Sequence, residues 1–165
     1  AVGAAPATDW LADSGLALDD GVVCDAHCRA ADGIYAVGDV ARWTHAGLGT
    51  SVRLENRTNA TDQARAVAAR LLGGEEPYTP VPHFWTDQFD AKIQVHGVVP
   101  AEAEVTVVEG DPEPAADGGR RRFVALARDG DGRATGVLGW NMPKQTRLHR
   151  QEVVDTFTGA PAPTR

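Results

Sequence analysis

The sequence predicts an α/β segment over residues 1–76 and a small α+β domain over residues 84–165, joined by a connection at residues 77–83. Three observations carry this prediction. Short apolar runs alternate with turns in the first region and lead into one long helix. Pro77, Pro80 and Pro82 then interrupt the chain, and proline favours extended backbone and disrupts helix interiors. Beyond them, strand-like runs precede a single helix, the pattern of an antiparallel sheet with a helix beside it.

The elements follow in order. "AVGAAPATDW" opens without a helix or strand start signal. It reads as the exit of a strand already under way, closed by Gly3 and Pro6, as expected of a piece of a longer chain. Asp19-Asp20-Gly21 is a tight-turn signal, and "GVVC" (residues 21–24) reads as a strand. "GIYAV" (33–37) reads as a strand in the middle of a sheet, ended by Gly38 and Asp39. A carboxylate at the carboxyl end of such a strand sits where α/β sheets bind ligands; the other reading is an ordinary turn. "RWTHAGLGTSVRLE" (42–55) reads as a loop.

Ala60, Ala64, Val67, Ala68 and Leu71 fall at helical spacing on one face. Thr58 and Asn59 suit the first turn, Arg70 the last, and Gly73-Gly74 the stop. In the second region, Ile93, Val95 and Val98 mark a strand and "EVTVVEG" (104–110) another. "RRRFVALARDGDGRATGVLGW" (120–140) reads as a hairpin turning at Asp129-Gly130-Asp131-Gly132. The D-x-D spacing invites a calcium reading, but the remaining ligands and the closing Glu are missing, which favours a plain turn. "GDPEPAADGG" (110–119) reads as a mobile loop. Asn141 is expected to cap a final helix with Pro143 early in it, running to about Phe157, and "APAPTR" to form a loose tail.

A net charge of -7 argues against free nucleic acid or an anionic membrane as partner. No apolar run approaches the ~18 residues of a membrane helix, and no signal-peptide pattern is present, so the expected compartment is the cytoplasm. Cys24 and Cys28 are spaced C-x-x-x-C, not as a redox C-x-x-C pair, and read as two buried thiols. The five histidines show no metal spacing. There is no G-x-G-x-x-G, no G-x-x-x-x-G-K-[ST], no G-x-S-x-G and no convincing Ser/His/Asp or Cys/His set. Spacing alone therefore gives no complete catalytic apparatus.

Three segments in this order, "GAAPATDWL" (3–11), "GIYAVGDVARW" (33–43) and "FWTDQFDAKIQVHG" (84–97), resemble the C-terminal half of FAD-dependent ferredoxin reductases. These NADH-using flavoproteins, within the pyridine nucleotide-disulfide reductase superfamily, feed electrons to [2Fe-2S] ferredoxins of oxygenase systems. The resemblance implies that residues 1–76 are the last part of an FAD-binding domain, that 84–165 are the reductase C-terminal domain, and that both dinucleotide fingerprints lie upstream. It also implies roles. Asp39 would accept from the ribityl hydroxyls of FAD, since a carboxylate only accepts and hydroxyls donate, with Gly38 allowing close approach. Arg57 would meet FAD through its backbone at a helix N-terminus, which favours negative charge. Trp85 would lie beside the isoalloxazine, or be a hydrophobic domain-junction residue. Glu55 would face the nicotinamide, or be a solvated first-turn Glu.

The implied reaction is hydride transfer from NADH or NADPH to FAD and single-electron transfer to the ferredoxin; the cofactor carries the chemistry and no side-chain catalyst is assigned. An acidic ferredoxin needs a local basic patch. Arg65 and Lys92 are candidates by position, with Arg120–Arg122 and Lys144, Arg147 and Arg150 as further clusters, although charge clusters are commonly solvated faces. The competing reading is a non-catalytic binding or dimerisation module without flavin, in keeping with a homodimer as one assembly. By themselves, residues 1–165 are expected to bind flavin weakly or not at all.

Overall fold

A fully buried tryptophan, Trp43, organises the first of two units, Ala1–Pro80 and Val81–Arg165, in the computed structural model, which describes residues 3–114 and 119–158. Strand β1 (Val22–Cys24) is flanked in sequence by a turn and by a two-stranded hairpin of β2 (Arg29–Ala31) and β3 (Ile34–Tyr35). Strand β4 (Ala41–His45) runs parallel to β1, and β5 (Thr50–Val52) runs antiparallel to β4, giving the order β1-β4-β5. Gly21 has φ +123°, and a Cβ there would lie 2.6 Å from the Val40 carbonyl oxygen. Only glycine lets the two segments meet so closely.

Trp43 packs with Val22, Cys24, Cys28, Val67 and Tyr78. Its ring centroid is 5.3 Å from that of Tyr78, and its Nε1 donates to the Tyr78 carbonyl at 3.1 Å. The Tyr78 N–H in turn donates to the Ala26 carbonyl at 2.8 Å. The proline-rich connection is therefore anchored in the core at Tyr78 rather than running free.

Two sequence expectations change here. Residues 42–55 are not one loop: they hold most of β4 and all of β5. Ala41, Trp43 and His45 alternate inward with Arg42 and Thr44 outward, a period-2 pattern concealed by its polar members. Residues 33–37 are not a central strand. β3 has two residues, pairs with β2, and leaves Ile34 45% exposed, because Gly33 at φ +70° and Gly38 at φ +78° bracket it with turns. Gly38–Val40 is a single 3₁₀ turn leading into β4, so Asp39 stands at a strand's entrance, not its carboxyl end.

Helix α1 (Arg57–Leu71) forms where expected, capped by Asn56, whose side-chain oxygen accepts from the Asn59 N–H at 2.8 Å. Its buried face differs from the apolar count. Asn59, Gln63 and Val67 are buried, while Ala64, Ala68 and Leu71 are exposed. Two polar side chains with internal partners occupy the inward face, and a hydrophobicity count passes over them.

The second unit is a five-stranded antiparallel sheet, β6 (His83–Gln88), β7 (Ala91–Gly97), β8 (Glu104–Asp111), β9 (Arg122–Arg128) and β10 (Ala134–Trp140), in the order β6-β7-β10-β9-β8. Helix α2 (Pro143–Thr158) packs on one face through Val153 and Phe157. β6 was hidden in the sequence because its first residues adjoin the prolines. Asn141 does not cap α2: its side chain accepts from the Lys92 N–H at 2.8 Å and donates to the Arg121 carbonyl at 3.0 Å, tying strand ends together. The Asp129 turn is satisfied internally, with Asp129 Oδ1 accepting from the N–H groups of Asp131 and Arg133. No metal-holding cluster occurs among the described residues. No helix among them is long and apolar enough to cross a membrane. The 115–118 part of the expected mobile loop and the "APAPTR" tail lie outside the described residues.

Gly139 sets the distance between α2 and the sheet. A Cβ there would fall 1.6 Å from Thr146 Oγ1 and 2.8 Å from Thr146 Cβ. Thr146 cannot turn away easily, because it is fully buried and its hydroxyl donates to the Met142 carbonyl at 2.7 Å. Gly139→Ala should destabilise the second unit by about 2 kcal/mol through overpacking, read as a lower denaturant midpoint at unchanged slope.

Candidate functional site

The Gly-Asp turn is held from beneath by side chains. Val37 is extended, Gly38 turns at φ +78°, and its N–H donates to Gln63 Oε1 at 2.7 Å in a buried bond. Asn59 Nδ2 donates to the same oxygen at 3.3 Å, and the Tyr78 hydroxyl donates to Asn59 Oδ1 at 3.0 Å. A Cβ on Gly38 would sit 3.4 Å from that of Ala60. The turn therefore rests against the first turns of α1, where the leading N–H groups have no partner within the helix. Asp39 is exposed, and among the described residues its carboxylate has no hydrogen bond or ion pair. The result is an unspent acceptor beside the N-terminal end of α1, on a rigid base.

Arg53 ties the surroundings of that turn together. Its Nε and Nη2 grip the Asp20 carboxylate at 3.2 and 2.9 Å, and Nη2 also donates to the Ala4 carbonyl at 3.1 Å. Its Nη1 donates to the Asp39 carbonyl at 3.3 Å and to Glu55 Oε1. The side chain is only 11% exposed, and the Asp20 hydrogen bonds lead in pushing its pKa further up. One guanidinium thus joins Glu55 to the Gly-Asp turn. Cys24 and Cys28 are free and buried as expected, and burial pushes their thiols up to about 11 and about 12. Neither is a thiolate near neutral pH.

Of the remaining candidates, Arg57 is exposed at the start of α1, close in sequence to its cap. Arg65 lies exposed further along that helix, paired with Asp62 at 2.9 Å. Trp85 and Lys92 belong to the second unit, on neighbouring strands β6 and β7 and on one face by register. Trp85 is 54% exposed and stacks on His83 at 5.5 Å, and His83 stacks on His96 at 4.1 Å with ring planes 10° apart. Burial, then His83, Arg150 and Arg147, push His96 down to about 4.

Gln63, Tyr78 and Arg53 were not singled out from the sequence, and Asn59 only as a first-turn residue of α1. The available signal was polar residues four apart on the inward face of α1, and an R-x-E spacing just ahead of it.

Two outcomes are expected. Gln63→Leu strands the buried Gly38 N–H and should cost about 1–3 kcal/mol, measurable by chemical denaturation. His96 has a lower pKa folded than unfolded, so the fold favours its neutral form. Stability should be full above about pH 6.5 and fall as the pH drops from there towards 4, while His96→Gln should flatten that part of the profile.

Comparison with known proteins gives the same order of parts. Residues 1–64 match the family described as pyridine nucleotide-disulphide oxidoreductase, and residues 83–159 match the reductase C-terminal family. The chain is 35% identical over 151 residues to the anthranilate 1,2-dioxygenase system ferredoxin–NAD(+) reductase component of Burkholderia cepacia, covering 91% of this chain and 36% of the relative. It is 41% identical over 110 residues to rhodocoxin reductase of Rhodococcus erythropolis, covering 66% and 26%. In structure it matches a chain of the covalent putidaredoxin reductase–putidaredoxin complex with a TM-score of 0.80 at 29% identity, covering 93% of this chain and 35% of that one. The chain thus spans about a third or less of the length of these relatives. With both family matches in this order over most of its length, the chain belongs to the pyridine nucleotide-disulphide oxidoreductase family with the reductase C-terminal domain behind it, and it is similar to the ferredoxin reductases among these relatives.

Proposed function

We propose that the protein carrying this chain is a cytoplasmic NAD(P)H:ferredoxin reductase that passes electrons from NADH or NADPH through FAD to a [2Fe-2S] ferredoxin of an oxygenase system. The observation that carries the reading is the Asp39 carboxylate, unpartnered among the described residues, on a turn whose Gly38 is pinned by Gln63. The donor set fits the group: a free carboxylate accepts from polyol hydroxyls, and helix N–H groups suit an acceptor-rich, charge-gaining ring edge. The names of the relatives, which couple ferredoxins or putidaredoxin to such reductases, support the same assignment.

In this reading FAD supplies the redox chemistry, taking a hydride and releasing electrons singly. The chain's own residues bind and orient. Asp39 holds the ribityl hydroxyls, and Gly38 keeps the backbone close. The backbone at Arg57 donates to the ring's pyrimidine edge. Glu55 accepts from the nicotinamide carboxamide. Trp85 offers an aromatic face to the flavin. Arg65 and Lys92 supply positive charge for an acidic ferredoxin; the Asp62 pair on Arg65 is a surface contact worth little and is readily exchanged.

The full-length protein should purify with a flavin spectrum, be bleached by NADH, and reduce a [2Fe-2S] ferredoxin. A flavin-free protein inert to NADH overturns the proposal. Arg65→Glu and Lys92→Glu should each slow ferredoxin reduction by about tenfold at low salt and spare NADH oxidation by a small artificial acceptor. Equal loss in both assays would remove these residues from the docking surface.

A further inference from the structure

Arg53 and Glu55 flank Leu54 just ahead of the Asn56 cap, and they are joined through Arg53 Nη1 and Glu55 Oε1. The remaining Glu55 oxygen, Oε2, has no partner among the described residues, and the side chain is one-third exposed, at 33%. Arg53 is almost enclosed, and its other contacts are fixed points: the Asp20 carboxylate and the Ala4 and Asp39 carbonyls. A guanidinium presents its donors in a rigid planar fork. With the fork locked on three sides, the fourth contact dictates where the Glu55 carboxylate lies and which oxygen stays open.

We propose that Arg53 is a positioning residue that fixes Glu55 as the acceptor for the amide NH2 of the nicotinamide carboxamide, and so makes the enzyme discriminate in favour of that amide. The proposal rests on the reductase reading above and names the group on the substrate that the site selects. Because the same guanidinium binds the Asp39 carbonyl, it also sets Glu55 relative to the Gly38–Val40 turn. Loss of the Arg53 contact frees the Glu55 side chain to sample rotamers, and only ligands that use the amide lose by it.

The test uses the full-length, flavin-loaded protein and two reductants: NADH, and its 3-acetylpyridine analogue, in which a methyl group replaces the NH2. Arg53→Gln should raise KM for NADH by about tenfold. It should leave KM for the analogue within about twofold, and kcat for either within about twofold. Titration with NAD+, followed through the flavin absorption band, should show the same weakening without turnover. Asp20→Asn, which removes an exposed anchor and threatens the fold less, should give a smaller effect of the same kind, about threefold for NADH only. A parallel rise in KM for both reductants in either variant, or unchanged NADH affinity in Arg53→Gln, overturns the proposal. Loss of flavin in Arg53→Gln with an amide-blind Asp20→Asn would mean a purely structural arginine and overturns it too. A wild-type protein that oxidises neither reductant defeats the reductase reading itself, and the positioning role with it.

Discussion

The bond from the Gly38 N–H to Gln63 Oε1 joins positions 25 residues apart and is buried from water. Its strength lies in what its absence would mean: a backbone donor enclosed with no acceptor. Gln63 is in turn placed by Asn59, and Asn59 by Tyr78, whose carbonyl receives the Trp43 indole N–H. The chain of contacts runs from the core of the first unit to the turn that carries Asp39. The turn's rigidity therefore derives from side chains of α1, and the exposed carboxylate is held ready without a partner among the described residues. A ligand that binds there need not order it, and the entropy of doing so is not charged against affinity.

Charge is arranged by a second, outer device. Arg53 sits between Asp20 and Glu55 and also takes two backbone carbonyls. The inner tether and the outer clamp act on opposite sides of the same short turn: Gln63 takes its N–H at Gly38, and Arg53 takes the carbonyl at Asp39. In the second unit the corresponding order comes from stacking and close approach, with His83 and His96 supporting Trp85, and Gly139 admitting Thr146.

Much of this was legible in the sequence, and the gaps share a cause. α1, β7, β8, the β9–β10 hairpin and α2 follow from apolar spacing and turn residues. The resemblance of "GIYAVGDVARW" located the Gly-Asp turn. β4 was missed because Arg42, Thr44 and His45 obscured its alternation. The inward face of α1 was misplaced because Asn59 and Gln63, not alanines, are the residues with internal partners. Asn141 looked like a cap because its type suits one, yet its side chain is spent on Lys92 and Arg121. In each case a polar residue with a distant partner decided the outcome, and spacing along the chain contains no record of such partners.

The most direct measurement is the affinity of the flavin-free, full-length protein for FAD and for lumiflavin, which lacks the ribityl chain, in the wild type and in Asp39→Ala. If Asp39 accepts from the ribityl hydroxyls, the substitution weakens FAD by about tenfold or more and leaves lumiflavin unchanged. An equal effect on both ligands, or none on FAD, would contradict the assignment of the Gly38–Asp39 turn as the flavin's polyol site.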